Sequence, residues 1–597
     1  MAKELFTPIN RHIGDLLNDV ETGRIGLPDL QRPFVWKDNK VRDLIDSMLK
    51  GFPIGFVMLW ESPVDFGNTR HIGSNNKDYK SPRDLVIDGQ QRLTALLAAV
   101  KGVRIKDSKY KERNIRIAYN PRTKEVQVWS QAYERSQEWI SAISDVFAAN
   151  DNHTIPTFRK HYIKQLNEKL VRDGLPELSD DDELSIENNI NDLLNLADYT
   201  LPTLEIKANA SEEDVAEIFV RVNSGGQKLT EKNFIETLLS VYDNSIHKKI
   251  NDFCRDSRIP ADGTSYNHII EVDPVHVIRT TVGLAFKRAR LRYAYMLLRG
   301  KDLQTGKFSK DVQEENLEKF RNALDIVMNL NLWHNFLNLE ADSGYLKSSL
   351  ISSDNAVVFS YLLFLIGKTE YKVSSMALKQ IIQRWIFMAN ITGYYTDSPE
   401  SKVEKQLADL RSVSTPEGFV AYLDSEIRNV FTDDYFKYTL LNDLVTSSTS
   451  SPIWYGYVAA LNVLNYPMLF STTPTSKYFI VGASGKKSAV DIHHIFPKNY
   501  LTLIGYSDDR DRNQIANFTY LDYSTNIDIS DNPPDTYVDK YRKRFGEEGY
   551  KKACEQNALP EDFEKLEYPV FLNKRRVLMA SLIKKAYEEF CCRCQFL

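Results

Sequence analysis

The stretch Leu85–Val100 reads LVIDGQQRLTALLAAV, and its order of residue types sets the reading of the N-terminal part of the chain. An apolar run, Leu85 to Ile87, has the length and composition of a short buried strand. Asp88 and Gly89 follow as a turn, and a long apolar segment from Leu93 has the spacing of a buried helix. Strand, Gly-containing turn and helix start make a natural anion site, because the first helical N–H groups point outward unpaired. Arg92 adds a fork suited to phosphate oxygens, and Gln90 and Gln91 add donors and acceptors. The chain contains no G-x-x-x-x-G-K-[ST] phosphate loop, so any nucleotide pocket here is of another type. On these residues alone, structural hydrogen bonding and ligand binding both stay open.

Around this stretch the first 245 or so residues mix α and β signals. VRDLIDSMLKG (Val41–Gly51) has helical spacing and stops at Gly51. GFVMLWE and YTLPTLEIK read as strands, and NIRIAYNPRTKEVQVWS (Asn114–Ser130) alternates on both sides of a turn, as a hairpin does. SDDDELSIENNIND predicts an acidic surface helix. SEEDVAEIFVRVNSGGQKLTEKNFIETLLS predicts helix, turn, helix. From about 246 to 475 helical periodicity dominates, and the turn-rich STTPTSKYFIVGASGKKS marks a boundary before a C-terminal module. The expected domains are therefore 1–245, 246–475 and 476–597, in an α+β, mostly helical, multidomain chain.

Composition narrows the function classes. With 597 residues, 42% hydrophobic and 26% charged, the chain is an ordinary globular protein too long for one core. A formal charge of −5 excludes a general polycation but not a local basic groove. No apolar run is long enough to span a bilayer and the N-terminus lacks signal-peptide order, so a cytoplasmic protein with no membrane partner is expected. Five Cys give no disulfide framework, and the terminal CCRCQFL has no second ligand pair for zinc.

The C-terminal module carries the second constellation. AVDIHHIFPKNYL places His493 and His494 at the end of a strand-like segment, with Pro497 three residues on. NQIANFTYLDYSTNIDIS then supplies Asn517 and Asn526. An isolated His pair would be unremarked, but His-His-x-x-Pro, then Asn-apolar-x-x-Leu, then Asn resembles the ββα-metal finger of HNH nucleases, in the branch ending in Asn. Phosphodiester hydrolysis needs a base near neutral pH and a cation on the phosphate. By the resemblance, His494 is the base and Asn517 braces the loop that orients it. His493 and Asn526 hold one divalent cation, and Asp491, two residues earlier, shares in binding it. An Asp/His/Asn set admits Mg²⁺, Mn²⁺ or Ni²⁺. Lys498 and the basic run KYRKRFG (Lys540–Gly546) are candidate contacts to the phosphate backbone.

LPDLQRPFVWKDNKVRDLIDSMLKGFPIG (Leu27–Gly55), VIDGQQRLTAL and IFVRVNSGGQKLT together resemble the N-terminal domain of the GmrSD family, modification-dependent (type IV) restriction enzymes to which SspE and BrxU are similar. RWIFMANITGYYTDSPESKVEKQL (Arg384–Leu407) resembles that family's helical middle, and VDIHHIFPK its HNH end. The resemblance implies a ParB/sulfiredoxin-like N-terminal fold that hydrolyses GTP or ATP. It gathers Gln31, Arg32, Asp88, Gly89, Gln90, Gln91 and Arg92 around the nucleotide, with Asn223 and Gly225 closing the pocket. Arg92 would bind phosphate and Asp88 would hold Mg²⁺ or orient water. It further implies an anti-phage endonuclease that senses modified double-stranded DNA and nicks or cleaves it. Double-strand cutting by one HNH site requires two chains or two visits, hence an expected homodimer. Two other classes fit the same residues: a nucleotide-switched DNA-binding protein, and a toxin-like nuclease indifferent to modification.

Overall fold

The Asp-Gly turn closes a mixed sheet. In the computed structural model β1 is Phe6–His12, β2 Ile25–Gly26, β3 Val57–Glu61, β4 Asp84–Asp88, β5 Ile105–Lys106, β6 Glu112–Arg113, β7 Ile117–Asn120, β8 Glu125–Val128 and β9 Thr200–Ile206. The structure describes residues 4–26, 34–61, 83–107, 111–210, single positions between 214 and 222, 244–298, 300–301, 309–479 and 490–592. By its contacts the chain divides into two compact units, Met1–Asn251 and Asp252–Leu597. The segments expected as a helical middle and a C-terminal module both fall in the second.

In the first unit the sheet order is β1-β9-β3-β4-β2. β1 runs antiparallel to β9, β9 parallel to β3, β3 antiparallel to β4, and β4 parallel to β2. Three helices matter to the site: α1 (Ile13–Glu21), α2 (Asp38–Leu49) and α3 (Gln90–Lys101). α3 is buried at every position from Leu93 to Val100, which are apolar except for Thr94. It packs into one core with Leu16, Leu17, Ile45, Leu59 and Val86. The expected stop of α2 is observed: Gly51 takes φ +71, a left-handed conformation that glycine adopts without strain. The predicted hairpin is β7 paired with β8, and the acidic helix is Asp180–Leu194, capped by Ser179 and Asp182.

Among its described residues the second unit is helical apart from one hairpin, β10 (Val490–His494) with β11 (Phe518–Asp522). α4 (Leu330–Asp342), α5 (Asp354–Leu365), α6 (Ser375–Ile391) and α7 (Pro452–Val463) supply much of its core. α8 (Lys498–Leu503) lies between the two strands in sequence; α9 (Tyr523–Ile529), α10 (Pro534–Gln556) and α11 (Tyr568–Cys592) follow them. One long periodic segment, VHVIRTTVGLAFKRARLRYAYMLLRG, is interrupted: Lys287 turns left-handed at φ +52. Glu404 holds the break, accepting from the Ala289 amide at 2.7 Å and from Arg288 at 2.6 Å. Among the described residues no helix is long and apolar enough to cross a membrane.

Candidate functional site

β10 pairs antiparallel with β11, His493 opposite Thr519 and His494 opposite Phe518, and α9 starts as soon as β11 ends. The Asp522 carboxylate makes that junction by accepting the Thr525 amide at 2.8 Å. Two paired strands and a helix thus adjoin, with α8 in the connection between the strands, and adjacent strand residues face opposite ways. The His493 ring reaches α9, where Nδ1 donates to Asn526 Oδ1 at 2.8 Å. The His494 ring reaches the intervening loop, where Nε2 donates to Asn513 Oδ1 at 2.9 Å. Phe518 meets the His494 ring edge-on, with centroids 4.8 Å apart.

Asn517 is fully buried and stitches the loop together. Its Oδ1 accepts from the Phe496 amide at 2.8 Å, while Nδ2 donates to the carbonyls of Phe496 (3.0 Å) and Arg512 (3.2 Å). Three further groups clamp the same loop from outside. Tyr537 on α10 donates to the Ile495 carbonyl at 2.7 Å, Tyr568 on α11 to that of Asp511 at 2.8 Å, and fully buried Arg575 to that of Ala516 at 2.8 Å. Trp454 of α7 stacks on Tyr520 and meets Phe518 edge-on, seating the hairpin.

Both imidazoles are pushed toward the neutral form. Burial lowers the pKa of His493, and burial together with the charges of Lys498 and Arg512 lowers that of His494. His493 Nε2 is buried and bonded to nothing, so its lone pair is open to a cation. The open nitrogen suits a cation that takes mixed N/O ligands, such as Mn²⁺ or Ni²⁺, while Asn526 Oδ1, bonded at Nδ1 across the ring, orients the imidazole. Among the described residues no three His, Cys, Asp or Glu converge as a metal cluster, so a cation on His493 Nε2 would take most of its coordination sphere from water and substrate. Asp491 lies on β10 opposite Leu521, and its side chain is outside the described part. Sequence reasoning missed Asn513 altogether. In the basic run, Lys540 pairs with Asp528 and Arg542 with Asp562 and Glu564.

At the N-terminal turn, Gly89 caps α3 with φ +93, and a Cβ there would lie 2.9 Å from Val57 Cγ2. The register of β3 against β4 shifts between Met58 and Leu59, beside the pairing of Met58 with Asp88. Arg92 donates Nη1 to the Phe56 carbonyl at 2.6 Å and lies against Gly55, where a Cβ would come within 2.7 Å of Nη2. Burial lowers the Arg92 pKa and the charge of Asp88 offsets this. Gln91 Oε1 accepts the Val35 amide at 3.0 Å, which leaves Nε2 buried with no acceptor. That orphan donor fits an anion, while one arm of Arg92 is already engaged by protein. Asp88 and Gln90 have further partners within the protein. Gln31, Arg32, Asn223 and Gly225 lie outside the described residues.

Two comparisons bear on this geometry. Residues 13–240 match the family model described as GmrSD restriction endonuclease, N-terminal domain. The match makes this part of the chain similar to the N-terminal domain of GmrSD restriction endonucleases. The uncharacterized protein MJ0686 of Methanocaldococcus jannaschii is 24% identical over 564 residues, 88% of this chain and 86% of that protein.

Proposed function

We propose that this chain is an anti-phage endonuclease that senses modified double-stranded DNA, hydrolyses GTP or ATP at the β4–α3 turn, and nicks or cleaves DNA at an HNH centre built on β10, β11 and α9. The observation that carries the reading is the side-chain order at the hairpin. His493 faces Asn526, His494 is held by Asn513, and buried Asn517 ties the loop between them. The match of residues 13–240 to a restriction endonuclease domain supports the same reading from the other end of the chain.

The chemistry follows from the tautomers. With its Nε2 proton given to Asn513, neutral His494 keeps the Nδ1 lone pair to take a proton from water. The water oxygen bonds to phosphorus, the P–O3′ bond breaks, and the leaving oxygen gains its proton from solvent. His493, with Asp491, would hold Mg²⁺ or Mn²⁺, and Asn526 would join them on exchanging its bond to His493 Nδ1 for the cation. Such a cation supplies positive charge against that building on the phosphate and the leaving oxygen. At the other end, Asp88, Gly89, Gln90, Gln91 and Arg92, joined by Gln31, Arg32, Asn223 and Gly225, form the nucleotide pocket, and the unpartnered Gln91 amide is its anion-facing donor. Cutting both strands would bring two copies of the chain together.

The test is plasmid cleavage with Mg²⁺ or Mn²⁺ on unmodified, glucosylated-hydroxymethylcytosine and phosphorothioated DNA, each with and without GTP or ATP. Cutting of one modified plasmid alone is expected. Equal cutting of all three would replace this reading with a nuclease indifferent to modification. Nucleotide hydrolysis with no cutting would leave a nucleotide-switched DNA binder.

A further inference from the structure

Two cations flank the His494 ring closely enough for their charges to be felt there, Lys498 and Arg512. They come from opposite sides of the loop that Asn517 ties. Lys498 follows Pro497 directly, and Arg512 directly precedes Asn513. Arg512 is well fixed for a loop arginine. Its carbonyl accepts from Asn517 Nδ2 and from the Tyr568 hydroxyl, and its side chain is only 18% exposed. Its guanidinium is nonetheless split between unlike partners. Nη1 donates to the Thr502 hydroxyl at 2.6 Å, Nη2 to Asp509 Oδ1 at 2.8 Å, and Nε has no partner. Lys498 Nζ donates to that same Asp509 oxygen at 3.3 Å. A single carboxylate oxygen therefore serves both cations, from a side chain that is 70% exposed.

An arginine fork is best satisfied by an anion offering two oxygens, and an exposed carboxylate–ammonium pair is easily exchanged. The geometry points to Lys498 and Arg512 as a clamp for a backbone phosphodiester of duplex DNA, with Asp509 as an internal competitor that holds the clamp until a phosphate displaces it. The inference rests on the nuclease reading above and names the substrate contacts of that site. Two non-bridging phosphate oxygens would serve both cations where one carboxylate oxygen now does. The clamp lies beside the base, and displacing Asp509 leaves the fixed backbone of Arg512 where it is.

The experiment is binding of a fluorescent duplex to the full chain in EDTA, read by anisotropy across a salt series, so that no cleavage intervenes. Asp509→Asn should bind roughly 2–5-fold tighter at ~0.1 M salt, the scale of one exposed ion pair. Lys498→Gln should bind more weakly and lower the salt slope by about one phosphate contact, with Lys498→Arg restoring the slope. A relaxed loop alone would not change that slope in this pattern. Unchanged affinity in Asp509→Asn with an unchanged slope in Lys498→Gln would overturn the clamp, as would absence of duplex binding by every protein. Cleavage by His494→Ala alongside intact clamp effects would sink the nuclease reading and keep the clamp. Loss of cleavage in His494→Ala without clamp effects would do the reverse.

Discussion

Replacing Asn517 with Ala removes three hydrogen bonds from a fully buried site, and its consequences can be worked through. The Phe496 amide and the carbonyls of Phe496 and Arg512 would lose their carboxamide partner. Each buried hydrogen bond contributes ~1 kcal/mol net, and each stranded polar group costs a further ~1–3 kcal/mol if water cannot reach it. The Arg512 carbonyl keeps the Tyr568 hydroxyl, so its loss is the smallest. The expected destabilisation of the second unit is ~3–4 kcal/mol, near the upper end for one substitution. Asn517→Asp should do worse near neutral pH, because it keeps the acceptor for Phe496 but sets a carboxylate oxygen against two carbonyls. The assay is thermal unfolding combined with amide hydrogen exchange over residues 495–497 and 512–517. Loss of the brace predicts exchange at least ~10-fold faster in both segments, with the N-terminal unit unaffected. An Ala variant within ~0.5 kcal/mol of the parent, with unchanged exchange at Phe496, would refute the reasoning.

Gly89→Ala forces a side chain into a left-handed residue and against Val57, so the N-terminal unit should lose ~1–3 kcal/mol; a melting temperature equal to the parent's would count against the strained turn. Asn513→Ala frees the His494 ring while leaving the fold, and should lower kcat for DNA cleavage ~10–100-fold with little change in KM; a change in KM alone would deny Asn513 its orienting role. Glu340 is fully buried with both oxygens unpartnered, and burial raises its carboxyl from 4.5 to about 8. The folded state therefore keeps a proton that the unfolded state releases, so stability from this group is present below about pH 4.5 and falls as pH rises toward about 8. The full loss approaches ~5 kcal/mol at ~1.4 kcal/mol per pH unit. Glu340→Gln should flatten the pH dependence of unfolding between pH 5 and 8, and parallel curves for the two proteins would contradict the assignment.

Much of the local structure was legible in the sequence because local rules govern it. The β7–β8 turn at Asn-Pro-Arg-Thr, the burial of α3 and the end of α2 near Gly51 follow from turn chemistry and apolar periodicity. The His-His-x-x-Pro spacing likewise located β10, which ends at His494, 24 residues before its pairing partner Phe518 opens β11. What escaped is held by contacts remote in sequence. β9 inserts between β1 and β3 from about 140 residues beyond β3, and no pattern within either strand encodes that neighbour. Asn513 meets His494 across 19 residues that include α8, and Arg575 meets Ala516 across 59. The break at Lys287 depends on Glu404, more than a hundred residues away. The acidic partners of the basic run, Asp528 for Lys540 and Asp562 and Glu564 for Arg542, are likewise brought in by folding.

The most direct test of the central claim, that the β10–β11–α9 centre hydrolyses DNA, is the rate of nicked-product formation on the plasmid cut best, compared between the parent and His494→Ala at equal Mn²⁺. The account predicts a loss of at least ~100-fold in His494→Ala, with thermal unfolding and duplex binding retained. Cleavage by His494→Ala at the parent's rate would place the chemistry elsewhere in the chain and contradict the account.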